Sequence, residues 1–220
     1  MPYEDNQKVL NNLFKMGVKE IVWSGGEPLL YKDIIKLLKK SKNLGIYNSV
    51  ITNASLLNKD NINEYLKYIE KLIISLDFID DYKNKENGIG SNYYKHLSEI
   101  LALAKKVNKN IVIQINTVVF SENYKQIKNL MLELKKYEID NWKIIRFIPI
   151  RGKALTNKND LSITDKQFEK VLKEINSVEK NFEIIINDNI DMLKTHYIVL
   201  SSGKLIKSIK GNDIFIDYLK

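Results

Sequence analysis

Apolar residues recur at helical spacing over residues 4–16, where Val9, Leu10, Leu13 and Phe14 share one face and Gly17 follows as a stop. The next apolar run, EIVW at 20–23, is too short for a helix and reads as a buried strand. The segment Ser24-Gly25-Gly26-Glu27-Pro28 then breaks the pattern. Residues 31–44 return to helical spacing, with Lys on the polar side, and end at Gly45. The same alternation continues along the chain. YNSVIT (47–52) reads as a strand, 59–69 as a helix capped by Asn58, and KLIISL (71–76) as a strand. A loop rich in Asp, Asn and Gly occupies 80–91; it does not fit a calcium loop and reads as solvated. Then come a helix at 92–107, a strand at 110–119 (NIVIQINTVV), a helix at 123–137 and a strand at 142–148 (WKIIRFI).

Strands separated by one helix each imply βαβ units, hence a parallel sheet with right-handed crossovers. The first element is a helix, so the order is that of a βα protein with an unusual topology or without its first strand. Towards the end, 165–179 forms a helix opened by Thr164 or Asp165, and FEIIIN (182–187) forms another strand. HYIVL (196–200), the turn SSGK, 204–208 and 213–219 have the pattern of hairpin strands and form a small cap on the sheet. With no linker or repeat, residues 1–187 are expected to form an α/β unit and 188–220 a C-terminal β extension.

Composition narrows the chemistry. The 220 residues contain no Cys and two His, His96 and His196. That excludes a disulfide scaffold, a thiolate metal site and a Cys nucleophile within this chain, and leaves little material for zinc or non-haem iron. No segment approaches the apolar length of a transmembrane helix, and the acidic, polar N-terminus is unlike a signal peptide, so the expected location is cytoplasmic. The net charge of +8 raises nucleic acid as a partner. Against that, only Arg146 and Arg151 among the 35 basic residues are arginine, and specific nucleic-acid readers lean on Arg. Abundant Lys, Asn and Ile are what AT-rich codons give, and the Lys residues are spread over helix faces.

In parallel α/β proteins ligands sit at the carboxyl ends of strands. Here those ends carry Gly25, Gly26, Glu27 and Pro28, then Thr52 and Asn53, then Ser75 and Asp77, with Asn116 inside the next strand and Arg146 and Arg151 at the one after. A Gly pair lets a ligand touch backbone N–H and C=O groups, and it equally makes an ordinary tight turn before Pro. Asp77 and Asn116 need hydrogen-bond partners, which protein groups usually supply. An inward Arg146 must meet an anion: Glu27, Asp77, or a ligand carboxylate or phosphate. His96 reads as a helix-surface residue, His196 as structural, and Trp23 and Trp142 as core.

In order along the chain, MGVKEI before SGGEPLL, then ITNAS, IISLD, QINTVV and NWKIIRFIPIRGKA resemble the successive landmarks of radical S-adenosylmethionine (SAM) enzymes. The tail, IINDNIDMLKTHYIVLSSGKLI, is similar to the end of viperin-like and molybdenum-cofactor-biosynthesis-type members. The resemblance implies a partial (β/α)6 TIM-type barrel, incomplete at the N-terminus, that binds SAM and a [4Fe–4S] cluster and generates a 5′-deoxyadenosyl radical. It implies that Gly25, Gly26 and Glu27, with Pro28, meet the SAM methionine amino group. Ser75 and Asp77 would lie near SAM and Asn116 near its ribose. Thr52 and Asn53 would line the site, and Arg146 and Arg151 would meet the SAM carboxylate or the substrate. Family members act on nucleotides, peptides and small molecules, so the fold leaves the substrate open.

The family's CxxxCxxC loop has no counterpart in this chain. Without thiolates the cluster is not held, and the chain alone is expected to be inactive in radical chemistry. Two explanations follow. Met1 is a truncation or internal start, with the cluster's Cys ligands upstream, or the chain is a cluster-free relative that binds SAM or a partner. In either case strand 20–23 becomes an exposed edge able to self-associate. Two further readings stand beside these: a barrel enzyme that binds a phosphorylated metabolite through Arg146 and Arg151, and a Lys-rich nucleic-acid binder.

Overall fold

The computed structural model describes residues 1–79, 93–149, 156, 158–188, 196–209 and 212–219. Helix α1 (Tyr3–Lys15) leads into β1 (Glu20–Trp23), followed by a 3-10 turn (Pro28–Leu30) and α2 (Ile34–Asn43). Then come β2 (Tyr47–Thr52), α3 (Ile62–Leu66), β3 (Lys71–Ser75), α4 (Tyr93–Val107), β4 (Val112–Val119), α5 (Ile127–Leu134) and β5 (Asn141–Arg146). A single helical turn, α6 (Lys158–Leu161), precedes α7 (Asp165–Asn176) and β6 (Glu183–Asn187). The six strands form one parallel sheet in the order β1-β2-β3-β4-β5-β6, which is the α/β barrel-type arrangement the alternation predicts.

Register decides which side chains reach the site. Thr52, Ile74, Ile115, Trp142 and Ile184 stand opposite one another in neighbouring strands and share the helix-covered face. Here Val50, Leu72, Ile74, Ile113, Ile115 and Ile144 pack against Leu66, Leu97, Leu101, Leu130 and Phe168 of the helices. Each such side chain contributes about 1.5–3 kcal/mol on burial. Trp142 is fully buried there; its indole N–H donates to Thr117 Oγ1 at 2.9 Å and its ring meets Phe182 edge-on. The opposite face carries a row of its own: Ser75, Asn116, Lys143 and Ile185.

Several boundaries differ from expectation for local reasons. The helix expected at 59–69 is only Ile62–Leu66. Asn58 does not cap it; its Oδ1 accepts from the N–H groups of Asp60 and Asn61 and builds a turn ahead of the helix. Thr164 does open α7, through a reciprocal capping box with Gln167. The loop expected at 80–91 lies outside the described residues.

The tail forms a separate antiparallel sheet, β7 (His196–Val199), β8 (Lys204–Ile209) and β9 (Asn212–Tyr218). It packs against α1: Leu205 and Leu219 meet Val9 and Leu13, and Asn12 Nδ2 donates to the Leu219 carbonyl at 2.9 Å. At the other margin of the large sheet, β1 pairs with β2 and with no other strand among the described residues, and Val22 on it is 48% exposed. No helix among the described residues is long and apolar enough to cross a membrane.

Candidate functional site

The parallel register of β1 and β2 brings the loop after β1 against the end of β2. Glu27 is the centre of that junction. Its Oε1 accepts from Leu29 N–H at 3.0 Å, which starts the 3-10 turn, and Pro28 suits the first helical position because it has no N–H to lose. Thr52 Oγ1 is 2.9 Å from both Glu27 oxygens, and Asn53 N–H donates to Oε2 at 2.9 Å. The Asn53 side chain turns away, accepting from Ser55 N–H and Oγ. Just before Glu27, Gly25 has φ +142°, a conformation that disfavours any side chain. A Cβ on Gly25 or Gly26 would meet nothing within 4 Å, so the bare backbone borders open space rather than packed protein.

Along the open face of the sheet, the expected residues of β3 and β4 fall side by side. Ser75 and Asn116 are directly opposite. The Ser75 hydroxyl has no partner among the described residues, while the Ser75 carbonyl accepts from Tyr93 Oη at 2.9 Å. Asn116 Oδ1 accepts from Gln114 Nε2 at 2.7 Å, which orients the amide and leaves its Nδ2 without a described partner. Asp77 follows on the same side; its Oδ1 accepts from Val118 N–H at 2.8 Å. Burial pushes the Asp77 carboxyl up from 3.8 to about 6, and the Val118 hydrogen bond offsets part of that rise. Burial also raises the Tyr93 phenol, with the Asp77 and Glu27 charges adding to it, so both carboxylates act on one tyrosine.

Arg146 departs from the expected placement. It shares the helix-covered face with Trp142 and Ile144 and is 8% exposed. Its anions are Asp165 at 2.7 Å and Asp188 at 3.5 Å, not Glu27 or Asp77; it also donates to the Ile163 carbonyl and lies over the Phe168 ring. The sequence WKIIRFI is apolar on both sides of the strand, so period-two alternation cannot reveal which way Arg146 faces. Arg151 lies outside the described residues.

Some participants were not anticipated. His96 is half-buried, not a surface residue, with Nε2 3.0 Å from the Ala54 carbonyl. Gln114 is 4% exposed and orients Asn116. Lys143 joins the Ser75–Asn116 row, a placement that only register discloses. The Lys residues also converge more than their sequence spacing suggests. Lys105, Lys106, Lys109, Lys135 and Lys136 line a groove of about 890 Å³ at the opposite end of the strands. Helix C-termini explain them, since cations there offset exposed carbonyls, and Lys105 is already bound to Asp140 at 2.7 Å.

The site therefore offers an open glycine backbone beside a fixed carboxylate, and a hydroxyl and an amide side by side on β3 and β4. It offers nothing for an iron–sulfur cluster. The chain has no thiolate, His96 is bound to a carbonyl, and no three His, Asp or Glu side chains among the described residues gather around a metal-sized space.

Residues 1–134 match the Radical SAM superfamily, and the chain belongs to that family. It is 28% identical over 223 aligned positions to an S-adenosylmethionine-dependent nucleotide dehydratase of Flammeovirga pacifica, covering 98% of this chain and 73% of that protein. A second dehydratase of the same description, from Lacinutrix mariniflava, is also 28% identical, over 96% of this chain but only 44% of its own length. Among solved structures, Streptococcus suis SuiB bound to S-adenosylmethionine superposes with a TM-score of 0.63 at 25% identity, over 85% of this chain and 44% of SuiB. The chain thus spans less than half of the second relative and of that structure.

Proposed function

We propose that the strand-end loop Gly25–Glu27 holds the methionyl end of SAM and that Ser75 and Asn116 meet its ribose. The observation that carries this reading is the open Gly25–Gly26 backbone beside a carboxylate fixed by three donor groups. Loop carbonyls and Glu27 suit an ammonium, which has three donors and no acceptor. The Ser75 hydroxyl and the free Asn116 Nδ2 suit sugar hydroxyls. Asp77 lies close enough in the same row to take part, while Thr52 and Asn53 act by fixing Glu27. When bound and reduced, SAM supplies the hydrogen-abstracting radical of this family. These 220 residues lack thiolates for the cluster that delivers the electron, so by themselves they bind SAM without cleaving it.

The substrate we infer is a nucleotide. The two dehydratases named above support this.

Calorimetric titration with SAM tests the site. Saturable binding that is insensitive to salt, and lost in Gly25→Val, supports it. Binding that survives Gly25→Val, or falls steeply with salt, removes it in favour of a nonspecific Lys surface. Anaerobic reconstitution with iron and sulfide tests the second point. A cluster absorbance band, or 5′-deoxyadenosine released from SAM by the chain alone, overturns it.

A further inference from the structure

Ala54 is the single non-glycine with positive φ among the described residues, at +59°, and it is fully buried. A side chain at Cβ disfavours this left-handed conformation, so it persists only where surrounding bonds over-determine it. Three hydrogen bonds do so. Ala54 N–H donates to Thr52 Oγ1 at 2.9 Å, Leu57 N–H donates to the Ala54 carbonyl at 3.0 Å, and His96 Nε2 meets the same carbonyl at 3.0 Å. A carbonyl only accepts, so His96 Nε2 carries the proton. The first two bonds lie within the turn. The third comes from another element, 42 residues away.

The turn matters because of what it feeds. Thr52 Oγ1 accepts from Ala54 N–H, so its own proton is directed to Glu27. The next N–H, that of Asn53, also goes to Glu27. Displacement of Ala54 therefore disturbs two of the donors that hold the carboxylate. Helix α4 makes a second attachment of the same kind: Tyr93, three residues before His96 on the same helix face, donates to the Ser75 carbonyl. The first turn of α4 thus ties the ends of β2 and β3, which carry the two halves of the ligand site.

We propose that His96 is a positioning residue for SAM: it holds Ala54 in the left-handed turn that aims Thr52 and Asn53 at Glu27. This rests on the reading of Gly25–Glu27 as the SAM site.

The experiment is SAM titration of the 220-residue chain in five forms: unaltered, Gly25→Val, His96→Ala, His96→Gln and the double variant Ala54→Gly/His96→Ala. Loss of one hydrogen bond in His96→Ala should raise Kd about three- to tenfold. A Gln amide places a donor near the position of Nε2, so His96→Gln should stay within about twofold of the unaltered chain. Glycine adopts positive φ without a clamp, so the double variant should regain most of the lost affinity. A merely structural histidine predicts no recovery from a glycine that adds no contact. If Gly25→Val abolishes binding while His96→Ala leaves it intact, the positioning role is wrong and the SAM site stands. The role is equally overturned if His96→Ala weakens binding and neither Gln nor the Ala54→Gly change restores it. If Gly25→Val binds SAM normally, the site reading fails and takes this inference with it.

Discussion

Thr52 Oγ1 lies 2.9 Å from each carboxylate oxygen of Glu27, a contact across 25 residues of chain. Parallel pairing makes it possible, because Trp23 stands opposite Val50 and both strands end within reach of each other. Thr52 is 2% exposed and serves as donor to Glu27 and acceptor from Ala54. Thr52→Val keeps the shape and removes both bonds, leaving the Ala54 N–H buried without a partner. The expected loss of stability is about 1–2 kcal/mol, read from urea unfolding midpoints at constant slope. Stability unchanged by Thr52→Val would mean that water replaces the hydroxyl and that Glu27 is held by its backbone donors alone.

Ala54 and Ala104 are both fully buried, yet glycine should act oppositely at the two. Ala104 lies inside α4, where Ala→Gly costs about 1 kcal/mol through backbone entropy. At Ala54 the same entropy cost is offset by relief of the left-handed strain, roughly 1–2 kcal/mol. Ala54→Gly is therefore expected to be neutral or mildly stabilising while Ala104→Gly lowers the thermal midpoint. Equal losses at the two positions would show that Ala54 carries no strain.

The contrast among these residues explains what the sequence could disclose. Strands and helices were legible because burial on one helix face, or in a parallel strand, leaves a period or an apolar run. The strand-end residues were legible for the same reason, since the ends of those runs name Glu27, Thr52, Ser75 and Asp77. Contacts between elements were not. His96 reaches Ala54, and Lys143 joins Asn116, through register and helix placement that no local pattern encodes. Helix α3 is short because Asn58 offers the backbone a side-chain partner that competes with helical bonds.

Arg146 gives a direct test of which face of β5 serves the ligand. Its guanidinium is enclosed by Phe168, the Ile163 carbonyl, Asp165 and Asp188. Arg146→Met keeps much of the volume and removes the charge. Asp165 is 85% exposed and Asp188 is 46% exposed, so both recover water when the partner is lost. The expected cost is therefore about 1–3 kcal/mol, below that of a fully buried pair. SAM affinity should be unchanged within about twofold, because the side chain lies on the helix-covered face. A tenfold or greater loss of affinity in a folded Arg146→Met protein would place Arg146 in the ligand site after all.

Asp77 makes stability depend on pH in a direction opposite to that of a salt-bridged carboxylate. Burial raises its folded-state value from 3.8 to about 6, and no cation among the described residues lowers it. Between those two values the folded chain holds a proton that the unfolded chain has released. Stability from this group is thus fully present below about pH 4 and is lost as pH rises through 6. Asp77→Asn removes the titration, and its amide oxygen can still accept from Val118 N–H. The variant should match the unaltered protein near pH 4 and exceed it by about 1–3 kcal/mol at pH 7. Urea unfolding at a series of pH values reads the difference directly. An advantage that is flat with pH would mean Asp77 ionises normally in the fold. An advantage at pH 7 that disappears when SAM is added would mean the bound ligand gives the ionised carboxylate a donor beyond the Val118 N–H.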